Sequence, residues 1–477
     1  MRLMYKGGYS MAKKMNSEKK HNKVPHIYVI LYSMIILGAL ASYIIPQGEF
    51  ERTTNQSGQE VLQPGTFHFT GDSPAGITDF MTSLTEGLME SSEIMFGIIM
   101  IGGMFAVIEE SGLIDIGVYK LTNLFSNKVL WVIPTIMIPL ALFTSFTGQA
   151  EMMLVFIPVV LPLILKMGFD RITATAIVLI ASVGGFSVAL TAPANLGTAQ
   201  RIAQVPLYSG IGYRAIILVV ILTIGVWFVW RYAKKVLHDP TKSIVYEDEK
   251  AISDSNKEGI AQHKATKRQI IASIFLLLAF AVLLFGLLKF EWFFKELAGL
   301  YAIVGIVVGF IVGMSPSKIA ETFHKGFLNI LIGAIVVGIA RGVAVVLEHG
   351  HIMDTIIYGA EKLVANVPSG ITAVIMLVVQ AALNFLINSG SGQAMITMPI
   401  MSGLSDLTSV SHQTSVLAFL FGDGFSNIIY PTSGAFMATL LIAKVKWEKW
   451  VRFIFPLVII WYSLSAIFLI IAQLIKY

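Results

Sequence analysis

Two carboxylates, Glu151 and Asp423, lie in otherwise apolar sequence, each beside a short run of Gly, Ser, Thr, Asn and Gln. A carboxylate deep in a membrane costs roughly 2.5 to 3.5 kcal/mol on insertion scales, so it normally faces a polar cavity and a partner. These acids suit an ammonium, a guanidinium, a proton or a sodium ion. No Lys or Arg lies within either run to favour a dianion. The bland alternative for Asp423 is a helix cap or an internal pair with a Lys. Glu151 is the less certain of the two, because its counterpart in the second run is Met395.

The runs are NSGSGQAMITMP, residues 388–399, and TSFTGQAEMMLVFIP, residues 144–158, which share Gly-Gln-Ala. Backbone that leaves the helix at membrane depth survives only where protein or water covers it, and such breaks usually line a pathway. An unwound tip offers free N–H and C=O groups, and each half-helix end adds roughly half an electron of charge, positive at the N-terminus. A carboxylate can therefore be held without any Arg. Ser145, Thr147, Gly148, Gln149, Asn388, Ser389, Ser391, Gly392 and Gln393 are the candidate binding groups of the two tips. The echo continues downstream: GGFS at Gly184 to Ser187, with Pro193 and Asn195 beyond, is answered by DGFS at Asp423 to Ser426, followed by Asn427, Pro431, Thr432 and Ser433. Ser187, Asn195, Ser426, Asn427, Thr432 and Ser433 complete the candidate substrate site. The competing reading is that these small polar residues only cap half-helices and satisfy one another.

The elements that position these groups are membrane helices. Of 477 residues, 55% are hydrophobic and 13% charged, and the mean hydropathy is +0.75, far more apolar than a soluble protein. Apolar runs fall near 27–45, 94–108, 173–190, 213–232, 270–288, 297–313, 327–347, 415–429 and 453–474. Cysteine is absent, which excludes disulfides, thiol nucleophiles and cysteine zinc sites. The net charge of +5 reflects topology, with basic residues gathered on one side, and no nucleic-acid partner is expected. The lipid bilayer is the expected surrounding.

Residues 1–26 carry a Lys cluster that places the start in the cytoplasm, and 27–45 is a retained first span. Residues 46–86, acidic and rich in turn formers, are an extracellular loop with short β-like runs. A first repeat covers 87–232. Residues 233–268, rich in both charge signs, read as a solvated cytoplasmic linker. Connecting spans fill 269–325, where Gly305, Gly309 and Gly313 permit close helix packing. The second repeat and last span take 326–477, since residues 87–115 align with 326–354. An even number of spans between the copies makes them inverted, with each Gly-Gln-Ala run at the tip of a re-entrant hairpin and each GFS run in a broken helix. The expected fold is thus an all-α polytopic membrane protein with two inverted repeats. Arg341 is read as a structural pair with Glu348, Glu109 and Glu110 as solvated, and His412 as a loop residue able to shuttle protons.

The Gly-Gln-Ala tips, GDGFSN at 422–427 and YPTSG at 430–434 resemble the YfcC family of bacterial membrane carriers, which includes ArcD-like arginine/ornithine and other basic amino acid antiporters. That family is similar to the anaerobic C4-dicarboxylate uptake carriers of the ion transporter superfamily. The resemblance spans nearly the whole chain. It implies a bacterial plasma-membrane homodimer, a substrate site between the hairpin tips, and a transport domain that moves against a scaffold. A membrane enzyme is the rival class, but no HExxH motif occurs and Leu420 spoils a GxGD pattern at Asp423. A sensor would need an output domain that neither polar loop can supply. The favoured reading is a secondary transporter of small amino acids, with basic amino acid exchange ahead of C4-dicarboxylate or short-chain carboxylate transport. No metal and no cofactor is expected beyond Na+ or H+ as coupling ion.

Overall fold

The computed structural model describes residues 27–54, 60–71, 73–117, 128–253, 265–290, 292–365, 371–408 and 410–477. The N-terminal Lys cluster and residues 118–127 lie outside these. Among the described residues eight helices are long and apolar enough to cross a membrane, and the chain is an all-α multi-pass membrane protein.

Helix α1 (Ile27–Ala41) leads into two short antiparallel ribbons. In these, β1 (Gly48–Glu49) pairs with β4 (His68–Phe69) and β2 (Arg52–Thr54) with β3 (Glu60–Leu62). The ribbons are anchored by the buried Asp354, which accepts from the Phe50 amide at 3.0 Å and from Arg52 at 2.9 Å. The loop expected to run to residue 86 ends sooner, because α2 (Ile77–Glu90) starts in it and bends at Ser91 into α3 (Ser92–Glu110). Gly87 therefore sits inside a helix rather than at a boundary.

The first repeat continues with α4 (Val132–Thr147), a tip at Gly148 and Gln149, and α5 (Met153–Lys166). Next come α6 (Arg171–Val188), a break, α7 (Thr198–Ile202) and α8 (Ile211–His238). A short α9 (Tyr246–Ser253), α10 (Lys267–Lys289) and α11 (Phe294–Val312) lie between the copies. The second repeat has the same order: α12 (Pro316–His349), α13 (Met353–Ala365), α14 (Thr372–Asn384), a tip, α15 (Gly390–Leu407), α16 (His412–Ser426), a break, α17 (Gly434–Ile442) and α18 (Trp447–Leu474). Gly and Ser at the tips, and Pro193 and Pro431 in the breaks, disfavour continued helix and explain where each one stops.

Helices α2, α3, α11 and α12 pack together as one body. Their contacts are backbone to backbone: a Cβ on Gly102 would lie 2.9 Å from the Gly326 carbonyl, and one on Gly87 would lie 2.6 Å from that of Gly338. This is small-residue packing, which lets helices approach where lipid supplies no hydrophobic drive. Gly305 and Gly309 also serve packing, against Phe323 and Ile319.

The two broken helices run in opposite directions through the second body. Arg171 at the start of α6 donates to the Ala443 carbonyl just past α17, and Gln200 on α7 meets Gln413 at the start of α16. Between these contacts a Cβ on Gly424 would lie 2.5 Å from Ser187 Cα, so the helices cross there backbone to backbone.

The linker is not simply solvated as its composition suggests. Val245 is fully buried, and the Ser243 and Tyr232 hydroxyls donate to Asp170 at 2.7 and 2.6 Å. Glu249 accepts from the Arg171 amide, while Asp248 pairs with Lys446 and Lys449. Its first half thus docks on the start of α6, the last turns of α8 and the start of α18. The mixed charges that look like solvation are instead spent on helix termini. Residues 254–264 lie outside the described residues.

Candidate functional site

The two tips meet at the breaks. A Cβ on Gly390, the first residue of α15, would lie 3.2 Å from Asp423 Oδ2, 3.2 Å from Asn195 Cβ and 3.1 Å from Phe186 Cζ. Gly148 caps α4 in a left-handed conformation (φ 71°), and a Cβ there would lie 3.0 Å from Asn195 Oδ1. Asn195 therefore stands between the tips. It is 1% exposed, and its Nδ2 has no partner among the described residues.

Asp423 is fully buried and neither carboxylate oxygen has a hydrogen-bond partner among the described residues. Glu151 lies partly exposed just past the first tip. Among the described residues no Lys or Arg pairs with either acid. The N-terminus of α15, at Gly390, adds a partial positive charge facing Asp423. Two buried oxygens without donors among the described residues are a state that costs stability unless something binds.

An amide network fixes Asp423 from behind. Asn384 Nδ2 lies 2.9 Å from the Asp423 carbonyl, 2.6 Å from Ser426 Oγ and 3.0 Å from Asn427 Oδ1. Asn388 donates to Asn427 Oδ1 at 2.6 Å, and Asn427 donates to the Asp423 carbonyl at 2.9 Å. Asn384 was not among the expected site residues. An amide one turn before Asn388 in an apolar stretch was the signal for it.

Several expected groups point elsewhere. The Ser145 and Thr147 hydroxyls donate to Leu142 and Phe143 carbonyls of their own helix. Ser145 contributes its carbonyl, which accepts from the Leu190 amide at 2.6 Å. Gln149 reaches the Trp292 carbonyl at 3.4 Å, between α10 and α11. Gln393 is buried in α15 and donates to Gln380. The matching Gly-Gln-Ala runs thus differ in local structure: the first holds a tip, whereas the second forms the first turn of α15, capped by Ser389 accepting from the Gly392 amide. Ser391 is half-buried in that turn. Ser187 donates to Val183, and Asp423 lies in the last turn of α16 rather than in unwound backbone. Thr432 and Ser433 are buried at the second break, with Thr432 Oγ1 unpartnered.

Residues outside the site also find their places. Arg341 pairs with Glu90 at 2.5 Å and with Glu348 at 3.4 Å, while Glu110 pairs with Lys318. His412 is helical and bonds the Ala203 carbonyl. Among the described residues no three His, Asp or Glu side chains converge as a metal ion would need.

The family described as the DcuC C4-dicarboxylate anaerobic carrier matches residues 24–474, almost the entire chain. The chain belongs to this family. It is also 30% identical to "Putative basic amino acid antiporter YfcC" of Escherichia coli (strain K12), across 95% of this chain and 97% of that protein. An uncharacterized protein of Haemophilus influenzae is 25% identical over 93% of the chain. Among solved structures it is similar to the Alcanivorax borkumensis YdaH transporter at TM-score 0.42, with 17% identity over 95% of this chain and 99% of that one. Neisseria gonorrhoeae MtrF, from a class of antimetabolite efflux pumps, gives 0.41 and 17% over 94% and 95%. The chain is a membrane transporter of the DcuC and YfcC type.

Proposed function

We propose that the chain is a secondary transporter whose cargo carries a cationic group, with basic amino acids exchanged across the bacterial plasma membrane as the favoured substrates. One observation carries this reading: Asp423, wholly buried with both oxygens unpartnered among the described residues, lies against the second hairpin tip and beside Asn195 of the first break. A dianion would meet repulsion there, whereas an ammonium or guanidinium would satisfy both oxygens. The cargo's carboxylate would turn to the α15 N-terminus and to Asn195 Nδ2, donors that need no Arg. In the same reading the copies are inverted in the membrane, the N-terminus is cytoplasmic and the transporter is a homodimer. The antiparallel run of the broken helices supports the inversion.

The test is counterflow in proteoliposomes. Labelled arginine is competed by ornithine, lysine, aspartate, succinate and fumarate, with and without a sodium gradient. Competition by ornithine and lysine is expected. Exchange of succinate and fumarate alone would overturn the cationic cargo and leave Asp423 to a coupling proton or sodium ion, with a C4-dicarboxylate as substrate.

A further inference from the structure

The last long helix of each repeat carries buried donors in its first turn, and in both copies they end on the same pair of carbonyls. In the first repeat Arg214, the fourth residue of α8 and 1% exposed, donates Nε–H to the Ala189 carbonyl at 2.8 Å and Nη2–H to that of Leu190 at 3.2 Å. In the second, Trp450, the fourth residue of α18 and fully buried, donates its indole N–H to the Ile428 carbonyl at 2.9 Å. Trp447, the first residue of α18, donates to Ile429 at 3.0 Å. When Ser187 is set against Ser426, Ala189 and Leu190 fall on Ile428 and Ile429.

These carbonyls lie just past the ends of α6 and α16, at the start of each break. A helix end leaves its last carbonyls without intrahelical partners, and in an apolar surrounding each must find another donor or the helix re-forms. The first break needs support for a second reason, because Ala189 holds a positive φ of 41°, which a residue with a Cβ adopts only under constraint. Arg214 gives its remaining donors to the Ser209 carbonyl at 2.7 Å, the Tyr477 hydroxyl at 2.9 Å and the Tyr208 carbonyl at 3.4 Å. A guanidinium directed wholly at carbonyls and a phenol is a brace rather than half of an ion pair. The Leu190 amide in turn bonds the Ser145 carbonyl, so the braced segment sets the position of the first hairpin tip.

We infer that Arg214 in the first repeat, and Trp450 with Trp447 in the second, are equivalent positioning residues that hold the two unwound segments open for cargo without touching it. The inference rests on the reading that these breaks line the transport site. The braces differ in kind: a fixed cation stands behind the first break and neutral indoles behind the second, where Asp423 supplies the charge.

Because the chain has no cysteine, the full-length protein can carry Thr191→Cys or Thr432→Cys as a single probe of each break. The readout is the rate of N-ethylmaleimide labelling in proteoliposomes. Trp450→Phe keeps an aromatic side chain but loses the indole N–H together with the fused five-membered ring, and should speed labelling at 432 by about threefold or more while leaving 191 unchanged, since one buried carbonyl loses its donor and the ring's place is left underfilled. Arg214→Gln should do the reverse. Rates that move together at both positions in either variant, or at neither, would overturn the assignment, because general loosening has no repeat preference. Trp450→Phe keeps the test decisive if Arg214→Gln fails to fold. In parallel, Trp450→Phe should raise the half-saturating concentration for labelled arginine or succinate, whichever the unaltered protein exchanges, by about tenfold with the maximal rate little changed. If the unaltered protein exchanges neither compound, the cargo reading falls, and the labelling pattern still decides the brace.

Discussion

Asp423 combines full burial, two unpartnered oxygens and contact with a hairpin tip, so its substitution separates stability from function. Asn preserves the volume and removes the uncompensated charge. Asp423→Asn should therefore raise the melting temperature of the empty, detergent-solubilised protein, by about 2 °C if roughly 1 kcal/mol of desolvation is relieved. The same change should weaken binding of a cationic cargo by more than about a hundredfold, because a desolvated ion pair is worth on the order of 3 kcal/mol. Equilibrium binding and counterflow measure that loss. Retained exchange with lost gradient-driven accumulation would instead assign the carboxylate to a coupling ion. A lower melting temperature with unchanged transport would make Asp423 a structural residue.

At the scale of elements, the second tip is defined by Gly390 more than by Gly392. A Cβ at 390 enters the space shared by Asp423, Asn195 and Phe186, whereas one at 392 meets only Ser389. Gly390→Val should abolish transport in a protein that still elutes as a single species, and Gly392→Val should be the milder of the two. Equal loss in both would return the tip to a capping role. A second element-scale prediction concerns the docked linker. Asp170 caps α6 by accepting from the Thr173 amide and hydroxyl, and also receives the Tyr232 and Ser243 hydroxyls. Asp170→Ala removes the cap and strands those donors, which should cost about 3 kcal/mol, against about 1 kcal/mol for Ser243→Ala. Chemical denaturation in detergent compares the two.

For the whole molecule, reciprocal contacts relate the copies: α8 packs on α4 and α6 as α18 packs on α14 and α16, and α5 touches α17 as α15 touches α7. Such exchange of partners fits inverted copies, whose hairpins would open to opposite sides. Lys166→Cys at the base of the first hairpin and Thr408→Cys at the base of the second should react with an impermeant maleimide from opposite faces of the membrane. Lys166 is exposed and Thr408 half-buried, whereas Met167 beside the first is buried. Labelling from one face would refute the inversion while leaving the shared element order intact.

The sequence by itself determined that the chain is a multi-pass membrane protein, and which two acids lie inside. Those properties are local: an apolar run long enough to span and a carboxylate where hydrocarbon is expected can each be read from the segment that carries it. The tertiary structure alone decided which of those polar groups meet. Gln149 and Gln393 share a motif yet turn to Trp292 and Gln380, because side-chain direction depends on what packs alongside, and the two runs pack against different helices. Asn195, Gly390 and Asp423 come from three segments that only packing brings within van der Waals reach. Arg214 and Trp450 look like an ordinary span-end cation and aromatic in sequence. Their role appears only when the carbonyls released by the broken helices are placed beneath them, since an unpaired carbonyl is a property of the fold and leaves no mark on residue type.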